Sequence, residues 1–456
     1  MIEPEASTSL RVLNTDSVSI GDINSTTIKT DNRNFDNIIS PQNLFVTNTI
    51  INGGKWVFLS NRLVAYWPFA INTIQDSHQK FLSFRFPTIG LVVTISYILL
   101  NISYMGNYFI VKFDENNSKW QGIDQICLML WDSMVIGGGT LCRIYGIWRI
   151  SKLHLFWNNV VNIVGQCTNL SSERETEEKF RKLEKWGLKW FVTFTAIGII
   201  SGSASLYDDV YNYNPPLLKI ISIQYIDTVI SSHNASAFFL IFFIKIMTHG
   251  FTICHTNLKQ ISKQCKDNTA FSNQNFNDET VLSKIFKLIR DLEECVENFN
   301  TTFVFILFME ISFSFWQVMF ALYFFNVIDP LSNVLAGINV MMSILSYTTC
   351  LVCLCNESSK LTGECQEMVS TFQELPISTA EDERKVKLLV SRLTSEPPGI
   401  QVSKLIDIRE SLLGSALNTL ATYFIVLVQM RQMAQETNPG VTDANQANGT
   451  EIAPQI

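Results

Sequence analysis

From Phe303 to Phe325 the chain reads FVFILFMEISFSFWQVMFALYFF, with Glu310 as its only charge. About 20 mostly apolar residues is the length at which an α-helix crosses a bilayer. Inside hydrocarbon only helices and closed barrels satisfy their own backbone hydrogen bonds, so an unalternating run of this length reads as a spanning helix. Seven stretches fit: Phe86–Met105, Gln125–Trp148, Trp190–Tyr207, Val229–Phe251, Thr302–Val327, Leu335–Cys355 and Leu412–Gln429. Gln125–Trp148 is the most interrupted, by Asp132 and Gly137–Gly139. Composition agrees. Of 456 residues, 47% are hydrophobic and 16% charged, against about 25% charged in a soluble domain. The formal charge of −7 gives no reason to expect a nucleic-acid partner.

Residues 1–60 are rich in Ser, Thr, Asn and Asp and lack an apolar leader, so they read as a disordered tail. Residues 61–411 hold a pre-membrane segment, spans 1–6 and their connections. Residues 412–433 make the seventh helix, and 434–456 a second tail.

Short basic loops stay in the cytoplasm. Arg62, Lys80 and Arg85 precede span 1. Loop 2–3 carries Arg149, Lys152, Arg174, Lys179, Arg181, Lys182 and Lys185; loops 4–5 and 6–7 are comparably basic. Loop 1–2 has Lys112 and Lys119, loop 3–4 only Lys219, and loop 5–6 none. The expected topology is inverted, with a cytoplasmic N-terminus and an extracellular C-terminus. A G-protein-coupled receptor has the opposite orientation, and its DRY-like and NPxxY-like motifs are missing. The sequons at Asn116 and Asn448 fall outside and are glycosylation candidates; Asn169 falls inside.

Of ten cysteines only Cys127 lies near the outer face, so no extracellular disulfide framework is expected. Cys350, Cys353 and Cys355 have no accompanying histidine and read as core thiols or acylation sites rather than a metal site. The stretches 171–190 and 278–300 are helical in pattern and run directly into spans 3 and 5. Val281, Ile285, Ile289, Leu292 and Val296 form one apolar stripe. Asp382–Leu393 makes a third such helix, ended by Pro397-Pro398-Gly399. These extensions should pack together below the bilayer.

The last span contains polar groups. At about 100° per residue, Thr422, Val426, Gln429, Met433 and Glu436 share one stripe, with Met430 at its border and Arg431 opposite. An amide in the membrane faces protein or a water-filled cavity. The spacing leaves two readings of Gln429 open: a pore-facing group, or a hydrogen bond to a neighbouring helix.

Thr422-Tyr423, five apolar residues and then Gln429 resemble the TYhhhhhQF signature of insect gustatory receptors, with Met430 in place of Phe. The upstream ESLLGSALNTLATY is also similar to that family, and the likeness extends over about Trp56–Met433. The resemblance implies an all-α membrane protein with seven helices. It further implies a plasma-membrane, ligand-gated cation channel of four subunits, a homotetramer or a heteromer with other gustatory receptors, opened by a small-molecule tastant. The last helix would line the pore, with Val426 and Met430 as apolar gate and Gln429 as polar ring. Glu436 is our own candidate for an outer cation-attracting ring.

The ligand pocket would lie among the outer halves of the helices. Aromatics with a few polar groups suit such a pocket. Its candidates are Trp316, Gln317 and Tyr323 on span 5, His233 and Asn234 on span 4, Trp131 and Asp132 on span 2, and Tyr207 on span 3. Lys245 and Glu310 each sit about seven residues from an expected cytoplasmic end and are expected to pair. No HExxH, GxSxG or phosphate loop occurs, and neither an enzyme nor a cofactor is expected. A transporter or a non-channel scaffold of the same fold is the alternative.

Overall fold

The computed structural model describes residues 41–63, 70–73, 80–83, 92, 94–103, 106, 123–171, 173–213, 217–268, 278–327, 334–375 and 380–437. Within these, the side chains of Asp132, Tyr207, Val281 and Glu436, among others, lie outside the description, as do Asn116 and Asn448 altogether. Two helices come first, α1 (Pro41–Gly53) and α2 (Lys55–Leu63), then an antiparallel pair β1 (Ala70–Thr73) and β2 (Lys80–Ser83) with Ala70 opposite Ser83. The short apolar helix α3 (Thr94–Ser103) follows. The rest is almost wholly helical: α4 (Ile123–Trp148), α5 (Ile150–Thr168), α6 (Glu173–Tyr213), α7 (Leu217–Asn268), α8 (Asp278–Val327), α9 (Val334–Gln373), α10 (Ala380–Ser395) and α11 (Glu410–Thr437).

Among the described residues, four helices carry apolar stretches long enough to cross a membrane: His233–Gln264 in α7, Leu282–Asn326 in α8, Gly337–Gln373 in α9 and Glu410–Met433 in α11. The expected merging of loop helix and span holds. α6 runs unbroken through 41 residues and α8 through 50. α7 and α9 are likewise continuous, at 52 and 40 residues, well beyond the ends expected from hydropathy. Their polar extensions contain no internal proline, so no residue forces the helix to stop.

Residues 41–60 fall inside the stretch expected to be a disordered tail. Residues 41–60 are helical, and Ile50, Ile51, Val57 and Phe58 are buried. Apolar residues outnumber Asn and Thr in this stretch, and Ile50, Ile51, Val57 and Phe58 supply its buried face. Gly54 joins the two helices. A Cβ there would collide with the Phe242 ring, so only glycine lets the chain pass so close to α7.

Burial divides into two cores. The large one joins α1, α2 and α5 to the middle and lower parts of α7, α8 and α9. Its centre is aromatic: Phe239 lies 4.8 Å from Phe243, Phe299 4.8 Å from Phe303, and Phe156 5.1 Å from Phe243. It continues through Ile285, Ile289, Leu292 and Val296 to Cys365, Met368, Phe372, Val386 and Leu393. The expected stripe on α8 is thus the face that packs. The small core gathers Cys127 and Trp131 of α4, Phe313, Phe320, Tyr323 and Phe324 of α8, Val340 and Tyr347 of α9, and Leu420 of α11.

The start of α11 is fixed by α8 and α9. Asn300 donates from Nδ2 to the Gly399 carbonyl at 2.9 Å and accepts from the Gln401 N–H at 3.1 Å. The strands β3 (Gln401–Val402) and β4 (Ile406–Asp407) turn through Ser403 and Lys404, both at positive φ. The Glu410 N–H then donates to Ser359 Oγ at 2.9 Å, satisfying an otherwise unpaired donor at the helix start.

Candidate functional site

Phe313 in the middle of α8 belongs to the small core, and a layer of polar side chains gathers around it. His233 of α7 lies flat on Phe313, with ring centroids 3.7 Å apart and an interplanar angle of 14°. Its Nδ1 is 3.6 Å from Glu310 Oε1, one turn away on α8, and both side chains are nearly fully buried. Asn234 accepts from Ser346 Oγ at 2.9 Å and from the Cys350 thiol at 3.4 Å, both on α9. Gln317 lies seven residues beyond Glu310 and therefore on the same face of α8. It is 0% exposed, and neither of its amide atoms has a hydrogen-bond partner among the described residues. An unpaired buried amide costs about 1–3 kcal/mol, so such a group calls for a water or a ligand.

α4 meets this layer at Gly138. A Cβ on Gly138 would lie 3.4 Å from both Met309 Cε and Phe313 Cδ2 and 3.6 Å from His233 Cε1. The Gly138 backbone thus faces Met309 and Phe313 of α8 and His233 of α7, with room for ordinary van der Waals contact.

Of the residues selected from sequence, His233 meets Phe313 and Glu310, Asn234 meets Ser346 and Cys350, and Gln317 is buried on the Glu310 face of α8. Sequence reasoning missed Phe313, Ser346, Cys350 and the role of Glu310. The Gly run next to Asp132 was the available signal for the level at which the helices close up. Trp131 and Tyr323 lie instead in the small core, both against Phe324, at centroid distances of 5.2 and 5.5 Å. Trp316 faces a third way. It stacks on Phe320 at 5.9 Å and reaches Tyr423 of α11 at 6.4 Å, joining α8 to the last helix. The side chains of Asp132 and Tyr207 are outside the description.

The expected pair of Lys245 with Glu310 does not form. Lys245 Nζ binds Glu357 Oε2 of α9 at 2.8 Å, with Lys360 on the other carboxylate oxygen at 2.9 Å, and sits 4.8 Å from the Trp186 ring. Glu310 meets His233 instead. His233 and Lys245 are separated by 12 positions on α7, about 18 Å along the axis. Counting from expected helix ends failed because α7 and α8 extend beyond those ends by different lengths. Another buried charge also escaped notice: Arg143 of α4 is 0% exposed, with its guanidinium 5.3 Å from the Tyr97 ring. Close by, Asn101 donates to Thr140 Oγ1 at 2.7 Å.

On α11 the packed face holds Leu420, Phe424 and Leu427. Thr422, Val426, Gln429 and Met433 are all exposed. They lie about 180–240° around the helix from Leu420, facing directly away from the rest of the chain. Met430 is exposed as well, and Arg431, half-buried, turns toward the packed face. Only 6% of the most apolar stretch of this helix is buried. The backbone at Glu436 is still helical; its side chain is outside the description.

No curated protein matches this sequence. Among solved structures, the insect olfactory receptor OR5 from Machilis hrabei has the same fold at 14% identity. Its TM-score is 0.60, over 82% of this chain and 97% of that one. The same receptor in complex with eugenol matches with a TM-score of 0.60 at 14% identity, over 84% of this chain and 99% of that one. The family model described as 7tm Chemosensory receptor matches residues 62–434, from the end of α2 to the last turns of α11. With the helices that assemble the polar layer and the outward-facing α11 both inside that match, this chain belongs to the 7tm chemosensory receptor family.

Proposed function

We propose that this protein is a gustatory receptor of the plasma membrane and works as a ligand-gated, non-selective cation channel of four subunits. The observation that carries the reading is the outward stripe of α11. Lipid can cover Val426, Met430 and Met433, and the Thr422 hydroxyl donates to the Asn418 carbonyl at 2.9 Å, but lipid offers nothing to the amide of Gln429. Copies of α11 around a water-filled axis satisfy both kinds of residue. Gln429 and Thr422 then face water, and Val426 with Met430 forms a constriction that closes by dewetting. Glu436 stands at the outer mouth, where a carboxylate ring concentrates cations.

In this reading seven helices span the membrane, with the N-terminus cytoplasmic and residues 434–456, including the sequon at Asn448, outside. The TYhhhhhQ signature of the last helix supports gustatory rather than olfactory specificity. Ligand enters toward the polar layer of His233, Asn234 and Gln317, with Asp132 and Tyr207 at its edges. A similar receptor has been solved with eugenol, a small phenol, and the unpaired Gln317 amide suits a ligand with hydroxyl groups. The Trp316–Tyr423 contact gives the pocket a mechanical path to the gate.

The test is current through the purified protein in planar bilayers, challenged with a panel of sugars and phenolic bitter compounds. Gln429→Ala should change unitary conductance, and Val426→Ala should raise the leak without ligand. Unaltered currents in both would refute the pore assignment. A C-terminal tag stained only after permeabilisation, on protein that reaches the surface, would refute the topology.

A further inference from the structure

The longest stretch of this chain that is free of acid and yet basic is residues 133–172, which contain Arg143, Arg149 and Lys152 and no Asp or Glu. In a chain of net charge −7 this is a local reversal. Arg143 is buried inside α4. The other two sit at the elbow where α4 ends at Trp148 and α5 begins at Ile150.

One face runs continuously through both helices. Ile126, Leu130, Leu141, Ile144 and Trp148 are exposed on α4, at spacings that keep them on one side. The same side continues on α5 as Ser151, Lys152, Leu155 and Asn158, also exposed. The face is apolar down to Trp148 and mostly polar beyond it. Trp148 is 71% exposed. Indole rings and basic side chains collect where hydrocarbon meets headgroups, so with α4 crossing the bilayer, as in the channel reading, this elbow is its headgroup end.

The arginine at that boundary is held rather than free. Its guanidinium carbon is 4.7 Å from the Trp148 ring and 5.5 Å from the Tyr145 ring. Tyr145 is itself anchored, donating to the Thr302 carbonyl of α8 at 3.1 Å. The Arg149 guanidinium also hydrogen-bonds the Tyr145 side chain, while its shielded Nε has no hydrogen-bond partner among the described residues. Lys152 is exposed one turn below, between the directions of Trp148 and Arg149. A pre-positioned guanidinium, a second cation and an apolar runway leading to both match an amphiphile with an anionic head.

We propose that the α4–α5 elbow binds an anionic phospholipid, its phosphate held by Arg149 and Lys152 and an acyl chain lying along Leu141, Ile144 and Trp148. The site rests on α4 crossing the membrane, as in the channel reading, but not on a pore. Lipid is favoured over free phosphate because the cations stand at the foot of the apolar face.

Native mass spectrometry of the full chain in detergent, titrated with phosphatidylglycerol or phosphatidylcholine, tests it without recording any current. A failure of the channel reading therefore leaves this outcome interpretable. Wild type should retain phosphatidylglycerol over phosphatidylcholine. Lys152→Gln and Arg149→Gln should each weaken that retention about five-fold, as expected for one basic residue near an anionic surface. Trp148→Ala should weaken both lipids alike. Lys152 is exposed, so its variant folds whatever becomes of the elbow, and an unchanged melting temperature checks the other two. Equal retention of both lipids by wild type, or undiminished phosphatidylglycerol on Lys152→Gln and Arg149→Gln, overturns the site. Complete displacement by millimolar inorganic phosphate overturns the lipid assignment in favour of a free anion.

Discussion

α7 and α11 are two apolar helices of spanning length and nearly equal hydropathy, and they have opposite fates. In α7, 78% of the most apolar stretch is buried within the chain; in α11, 6% is. From Ala235 to Ile244 every side chain of α7 is buried, whichever way it points. α11 touches its own chain along one side, through Leu412, Leu413, Leu420 and Leu427, with Tyr423 reaching Trp316. A helix buried all round is part of a core; one covered along a single seam leaves the rest for lipid or another subunit. Hydropathy does not separate these cases, because lipid and protein interior are both apolar.

Substitutions can break the contrast or sharpen it. The largest effect is expected in α7. Phe242 is fully buried, edge-on to Phe58 at 5.5 Å. Phe242→Ala should cost about 3–5 kcal/mol, seen as a collapse of the monodisperse peak and a large fall in melting temperature. Next, the seam and the outer stripe of α11 should separate cleanly. Leu420→Ala should cost about 2–4 kcal/mol, whereas Val426→Ala should stay within about 0.5 kcal/mol for an isolated subunit. Equal losses at both positions, by denaturant titration of dissociated protein, would mean that α11 packs otherwise.

A smaller effect tests the ion pairs. In double-mutant cycles, Lys245→Met with Glu357→Gln should show a coupling of about 1 kcal/mol, and Lys245→Met with Glu310→Gln none. The smallest effect belongs to Gly138. A methyl there meets its neighbours at ordinary contact distance, 3.4 Å or more. Gly138→Ala should be near neutral, within about 1 kcal/mol of wild type. Gly54→Ala should be plainly destabilising, because its methyl has no room beside Phe242.

The polar layer was half legible before the fold was known. His233, Asn234 and Gln317 stood out as polar groups among aromatics in the expected outer halves of the spans. Their partners did not stand out, because Ser346 and Cys350 are ordinary residues until α9 brings them beside Asn234. Lys245 and Glu310 show the same limit. Each was correctly read as a charge needing company, but the axial offset between α7 and α8 decides who supplies it. Residues 41–60 failed for a different reason: reading them together with the polar residues that precede them hid the apolar positions that the large core uses.

The sequence by itself determined the helical class, the long unbroken helices, the packing stripe on α8 and the angular stripe on α11. Each of these depends on the period of one helix, and that period is set by local backbone geometry. Only the tertiary structure decided that Glu310 meets His233, that α1 and α2 join the large core, and that Thr422, Val426, Gln429 and Met433 point away from their own chain. These are relations between helices. They depend on axial offset and rotation, which close packing of many side chains sets together and no single stretch of sequence encodes.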